Sequence, residues 1–268
     1  MRRLPKSFDW FQTPGMMPAV RAQGKCGNCW SHAATGALEA HAFLNTWNRT
    51  TLSLQQILDC TYPEKPYCDG GQRYEGMERN AIQFTLKSYP DNQKPETKGP
   101  CKSNENDPYL VVGGKILPKV ERLRWPDELA IQIALVEKGP VVVYYTASDG
   151  FKKEVRQNAE TVFRGAGDCK GKRINHAVLV VGYGVERQSG GEDVKYWKVM
   201  NSWGTEWGNE GFFLIERGVN LCKIESLMMY PIVPDNLGKD NFSFTPTTLH
   251  WRISQSFCPF YFFKDAIL

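Results

Sequence analysis

The chain has 268 residues, a formal charge of +4, 41% hydrophobic residues and 12% aromatic residues. That length accommodates one large domain or two lobes with a shared core, and that composition excludes a disordered chain. The mild positive charge forms no stripe with interleaved aromatics, which argues against nucleic-acid binding, and no apolar run approaches the roughly 18 residues that span a bilayer.

The opening Met1–Arg2–Arg3–Leu4–Pro5 has no apolar core segment, so it does not read as a signal peptide. A first helix is predicted from Trp30 to Trp47, with Ala34, Leu38, His41 and Ala42 near one face. Ser53-x-x-Gln56 reads as a capping box opening a short helix, and a third helix is predicted over 75–87. Residues 88–119, rich in Pro, Gly, Asn and Lys, read as loop. Asp127 caps a further helix through Val136, which Gly139–Pro140 stops. Strands follow at 141–145, 177–183, 194–200, 212–216 and 227–232, all β-branched or aromatic with turn residues between them. Helices first and strands second give an α+β protein of two lobes. From about Pro234 the pattern dissolves, and 235–268 reads first as an atypical, disordered tail, then as a gene-model artefact or a partner-binding segment.

Eight cysteines (Cys26, Cys29, Cys60, Cys68, Cys101, Cys169, Cys222, Cys258) suit an oxidising compartment, so a secreted or lysosomal location is expected. The sequons at Asn48 and Asn241 are glycan acceptors on that route.

The strands 177–183 and 194–200 form a predicted hairpin around a polar, Gly-containing turn. Antiparallel pairing about Ser189 sets Val180 against Trp197, Val178 against Val199 and His176 against Asn201. A bulge would shift that register yet leave His176 and Asn201 at the same end. An amide oxygen beside an imidazole fixes its tautomer and aims the other nitrogen at a nucleophile. Cys29, in Gly24–Lys25–Cys26–Gly27–Asn28–Cys29–Trp30, is the candidate, since a thiol in the first turn of a helix feels the positive dipole end. Gln23 can offer its amide N–H to an oxyanion beside the backbone N–H of Cys29. Two other readings of Cys26-x-x-Cys29 are weaker. A zinc site needs two more closely spaced ligands, and a thioredoxin-like redox pair belongs after a strand in a βαβ setting.

The run Gln23 to Trp30 resembles the active-site segment of papain and the lysosomal cathepsins. Asn175–His176–Ala177 with Gly182–Tyr183–Gly184 is similar to their histidine segment, and Asn201–Ser202–Trp203–Gly204–Thr205–Glu206–Trp207–Gly208 to their asparagine segment. The likeness runs collinearly from about Leu4 to Val233.

The resemblance implies a two-lobe peptidase domain over 4–234, with a helical lobe at about 14–118 and a β-barrel-like lobe at about 119–234. The active-site cleft lies between them. It implies Cys29 as nucleophile, His176 as general base and acid, Asn201 as orienter and Gln23 in the oxyanion hole, with Trp203 covering the His–Asn pair. For substrate binding it implies Gly70, Gly71, Asn175, Trp203 and Leu227. Tyr144, Ile174 and Leu227 line a pocket that favours an apolar residue two positions before the cut. It also implies the disulfides Cys26–Cys68, Cys60–Cys101 and Cys169–Cys222, leaving Cys258 over.

The expected activity is that of a monomeric cysteine endopeptidase acting on proteins or peptides, with no metal or cofactor. An inhibitory propeptide and cystatin-like inhibitors are its expected partners, and Leu4–Pro5–Lys6–Ser7–Phe8–Asp9–Trp10 resembles a mature beginning. The rival is a papain-like protein that only binds, whose signature would be loss of Cys29, His176 or Gln23; all three are present. His32 departs from the pattern, standing where an aromatic or aliphatic residue is common; it reads first as a helix-packing histidine with a satisfied ring, and second as a titratable group that alters the pH optimum. His41 and His250 read as structural or solvated.

Overall fold

A computed structural model of the chain describes residues 4–49, 51–60, 111–112, 115–116, 119–124, 126–165, 169–187 and 191–232. The helix predicted over 75–87, the tail from 235, Gly70, Gly71, Cys68, Cys101, Cys258, Asn241 and His250 lie outside those residues.

Helix α1 spans Cys29–Thr46, and α2 spans Leu54–Cys60. The Ser53 hydroxyl caps α2 by accepting from the Gln56 N–H at 3.1 Å, as the Ser-x-x-Gln pattern predicts. Helix α3 covers Glu128–Glu137, with the Asp127 carboxylate accepting from the Ala130 N–H at 2.7 Å. Helix α4, Asp149–Gln157, was not expected. Only Phe151 and Val155 of it are buried, one turn apart, so its apolar signal is two residues in a charged segment. Its cap is legible: Ser148 accepts from the Phe151 N–H at 3.2 Å.

The strands are β1 (Phe8–Asp9), β2 (Val111–Val112), β3 (Lys115–Ile116), β4 (Lys119–Arg124), β5 (Val141–Tyr145), β6 (Val162–Phe163), β7 (His176–Arg187), β8 (Asp193–Met200), β9 (Phe212–Glu216) and β10 (Leu227–Ile232). Strands β2 and β3 pair with each other, inside the segment read as loop. The other eight form one sheet in the order β4-β10-β5-β7-β8-β9-β6, with β1 added against β7. The sheet is open and does not close into the expected barrel.

Alternation along the central strands explains the layers. Val141, Val143, Tyr145, Val178, Val180 and Phe213 face one side, where they pack with Ile131 and Leu135 of α3 and Phe151 and Val155 of α4. Val142, Tyr144, Ala177, Leu179 and Val181 face the other, against Ala33, Ala34, Ala37 and Leu38 of α1. The small side chains bring α1 close to the sheet; a Cβ added at Gly36 would meet the Leu179 side chain at 3.3 Å. His41 closes this contact, its buried ring hydrogen-bonded through Nε2 to the Pro140 carbonyl at 2.9 Å. It is structural, and burial lowers its pKa to about 4.

The predicted hairpin is present as β7 and β8, with a different register. Leu179 faces Met200 and Val180 faces Val199, then the pairing slips so that Gly182 faces Lys198 and Tyr183 faces Trp197. The extra residue, Val181, marks a β-bulge. Gly182 follows it because β1 crosses there: a Cβ at Gly182 would meet the Phe8 carbonyl oxygen at 2.6 Å.

Candidate active site

Cys29 is the first residue of α1, and the backbone N–H groups of Ala177, Trp30 and Cys29 itself point toward its sulfur. These dipoles favour a thiolate, but burial outweighs them and pushes the thiol above its ordinary pKa. Cys29 is free, whereas Cys26 is disulfide-bonded. Cys26 and Cys29 therefore form neither a redox pair nor half of a zinc site. Among the described residues, no group of three His, Cys, Asp or Glu side chains could hold a metal ion.

His176 opens β7, directly before Ala177, so strand and helix bring imidazole and thiol to neighbouring positions. Its Nε2 lies 2.8 Å from Asn201 Oδ1. The same oxygen accepts from the Ser202 backbone N–H at 2.8 Å, which fixes the amide with its oxygen toward the ring. Since Oδ1 can only accept, Nε2 carries the hydrogen and Nδ1 is left as the unprotonated nitrogen. Trp203 stacks on the imidazole, with centroids 4.7 Å apart and planes at 26°, and Trp207 meets Trp203 edge-on at 4.6 Å. Tyr145 also meets the ring edge-on, with centroids 5.6 Å apart. So enclosed, the imidazole is pushed down to about 4 by burial, with the Asn201 hydrogen bond opposing and the Lys152 charge assisting.

Both shifts have one meaning. A lone thiolate and a lone imidazolium are each disfavoured here, because burial penalises the charged form of both groups.

Gln23 is also buried and is held on three sides. Its backbone N–H donates to the Ser202 carbonyl at 2.8 Å, its Nε2 donates to the Cys26 carbonyl at 2.7 Å, and its Oε1 accepts from the Ser202 hydroxyl at 2.6 Å. The amide is thereby oriented, and its second Nε2 hydrogen stays unused by these contacts. Ser202 thus supports both amides, one through its N–H and one through its hydroxyl. Sequence reasoning missed this role, because nothing in the spacing links Ser202 to a glutamine 179 residues away.

The remaining predicted site residues divide. Leu227 is buried in one cluster with Cys29, Tyr144, Ala177 and Met229, and Ile174 packs against it. The Asn175 side chain is occupied in clamping Ala147, accepting from its N–H at 2.8 Å and donating to its carbonyl at 3.2 Å. Any contact it makes with a ligand would therefore come from its backbone. The Cys169–Cys222 disulfide is formed; the partner of Cys26 and the bond predicted between Cys60 and Cys101 lie outside the described residues. His32 is buried as expected, but its ring is not satisfied: Nε2 has no hydrogen-bond partner.

Residues 4–232 match the papain family cysteine protease. Among curated proteins, "Cysteine proteinase 2" of Zea mays is 38% identical over 236 residues, covering 86% of this chain and 60% of that protein. "Cathepsin J" of Rattus norvegicus is 38% identical over 240 residues, covering 85% and 65%. The chain thus spans about three fifths of the length of such relatives. Among solved structures, the digestive procathepsin L2 of Tenebrio molitor superposes with a TM-score of 0.69 at 30% identity, over 86% of this chain and 69% of that one. The bromelain protease of Ananas comosus, in complex with the E64 inhibitor, gives 0.67 at 29%, over 86% and 100%. Three separated segments that meet around one thiol, and a match running through all of them, lead to one assignment: this chain belongs to the papain family of cysteine proteases.

Proposed function

We propose that the chain is a cysteine endopeptidase with Cys29 as nucleophile, His176 as general base and acid, Asn201 as orienter and Gln23 as an oxyanion donor. The observation that carries this reading is the 2.8 Å bond from His176 Nε2 to Asn201 Oδ1 under Trp203, next to a free thiol. The Cys29 sulfur attacks the scissile carbonyl carbon as its proton passes to His176 Nδ1. The carbonyl oxygen takes the negative charge and is held by Gln23 Nε2–H and the Cys29 backbone N–H. Collapse breaks the C–N bond, and Nδ1 returns the proton to the departing amine. A water then attacks the thioester carbon, giving its proton to the same nitrogen, and expulsion of sulfur completes the cycle.

Leu227, buried beside Cys29 and Tyr144, supports an apolar residue at the second position before the cut. The order of elements, with α1 and α2 drawn from 29–60 and the main strands from 119–232, supports a helical lobe and a β-rich lobe. The Cys169–Cys222 disulfide supports a secreted or lysosomal location. Protein substrates and an inhibitory propeptide fit the same reading, since the procathepsins it resembles are proforms.

The test is hydrolysis of fluorogenic peptides that differ only at that second position. Leu or Phe there is expected to give a kcat/KM about tenfold or more above Glu, and Cys29→Ser to remove turnover. Equal rates for Leu and Glu would refute the pocket, and turnover by Cys29→Ser would refute the nucleophile.

A further inference from the structure

Beside Asn201, between α1 and the facing ends of β7 and β8, lies a partly open cavity of about 20 Å³. Arg21, His32, Gly36, Leu179, Asn201 and Ser202 are among its lining residues. Two of those residues carry a buried polar atom with no hydrogen-bond partner, His32 Nε2 and Asn201 Nδ2. Such atoms are rare in folded proteins because each loses its hydration without recompense. A single water requires about 10–15 Å³ and two to four polar partners, so this space is large enough to take a water.

We propose that the cavity is a water site built into the fold, and that His32 acts through this water as a positioning residue for Asn201. The water accepts from Asn201 Nδ2–H and donates to His32 Nε2. Its second hydrogen can go to the Ser202 hydroxyl oxygen, which donates its own hydrogen to Gln23 Oε1 at 2.6 Å and keeps lone pairs free. The Asn201 amide is then held at both ends: Oδ1 by His176 and the Ser202 N–H, Nδ2 by the water. A flip of that amide, which would turn N–H toward His176 and abolish the base, is opposed from both sides. Burial and the Arg21 and His176 charges lower the His32 pKa to about 3, so the ring is neutral and its Nε2 can accept. The position is set by helix periodicity, since His32 lies three residues beyond Cys29 and its ring falls one turn behind the nucleophile.

The proposal rests on the catalytic reading of His176 and Asn201, and two measurements separate the fates of the two. A crystal structure of the wild-type protein is expected to show ordered solvent within hydrogen-bond distance of both His32 Nε2 and Asn201 Nδ2. Absence of that solvent overturns the proposal whether or not the protein cleaves peptides. In kinetics, His32→Phe keeps a ring and removes the acceptor; it is expected to lower kcat about five- to tenfold with KM unchanged. His32→Gln restores an acceptor and is expected to recover most of the loss. In an Asn201→Ala background, His32→Phe is expected to change kcat less than about twofold, because the group it positions is gone. An equal loss from His32→Phe in both backgrounds, or no recovery with glutamine, would assign His32 to packing alone.

Discussion

Replacing His176 with alanine is expected to lower kcat/KM by about a thousandfold to ten-thousandfold, from the loss of one group that serves as base and acid. The same change is expected to alter the reactivity of Cys29 toward a small alkylating agent. Burial holds the thiol above its ordinary pKa, and in the proposed mechanism the imidazole takes its proton at mild pH. Without His176, the alkylation rate should climb with pH, about tenfold per unit, up to and beyond pH 9. The wild type should alkylate readily at about pH 6. It should lose activity only as pH falls through the His176 value of about 4, because a base already protonated cannot accept the thiol proton. If the variant alkylated at wild-type rates near pH 6, His176 would not be the base.

The second large effect is expected at Gln23. Its alanine variant should lose about a hundredfold in kcat with little change in KM, because in the proposed mechanism its N–H meets charge that appears only in the transition state. Alkylation of Cys29 should be unaffected, since that reaction builds no oxyanion. The two variants are thereby distinguished: near pH 6 His176→Ala is slowed in both reactions and Gln23→Ala in hydrolysis alone. Because the Ser202 hydroxyl orients the Gln23 amide at 2.6 Å, Ser202→Ala should show a weaker form of the Gln23 pattern, read as a several-fold fall in kcat. A Gln23→Ala protein with unchanged kcat would remove this side chain from the mechanism.

These contacts also mark how far the sequence could be read. The apolar runs at β5, β7, β8, β9 and β10 are strong enough to be placed within a few residues, and Asp127 and Ser53 cap helices where expected. The hairpin was legible but its register was not. The first nine residues of β7 are buried, on a sheet covered by α1 on one face and by α3 and α4 on the other. A strand buried on both faces has no polar alternation to fix its pairing, so the bulge at Val181 leaves no trace in the pattern. His176 and Asn201 still meet, because the slip is small compared with the reach of their side chains.

The polar supports of the site were harder to see. Cys29, His176, Asn201 and Gln23 stand in recognisable segments, whereas Ser202 matters through a contact that only folding creates. His32 fits helix packing when read in one dimension. What folding adds, an unpartnered buried Nε2 on a residue that lines the same cavity as Asn201, needs the neighbouring strands to be in place. Helix α4 was overlooked because a helix anchored by Phe151 and Val155 alone has too narrow an apolar stripe to register.

The most direct test of the nucleophile is titration of the native protein with a thiol alkylator at about pH 6, following peptide hydrolysis and the site of label together. We expect one label per chain, at Cys29, with activity falling in proportion to its incorporation. Retained hydrolysis by protein fully labelled at Cys29 would contradict that assignment and the mechanism built on it.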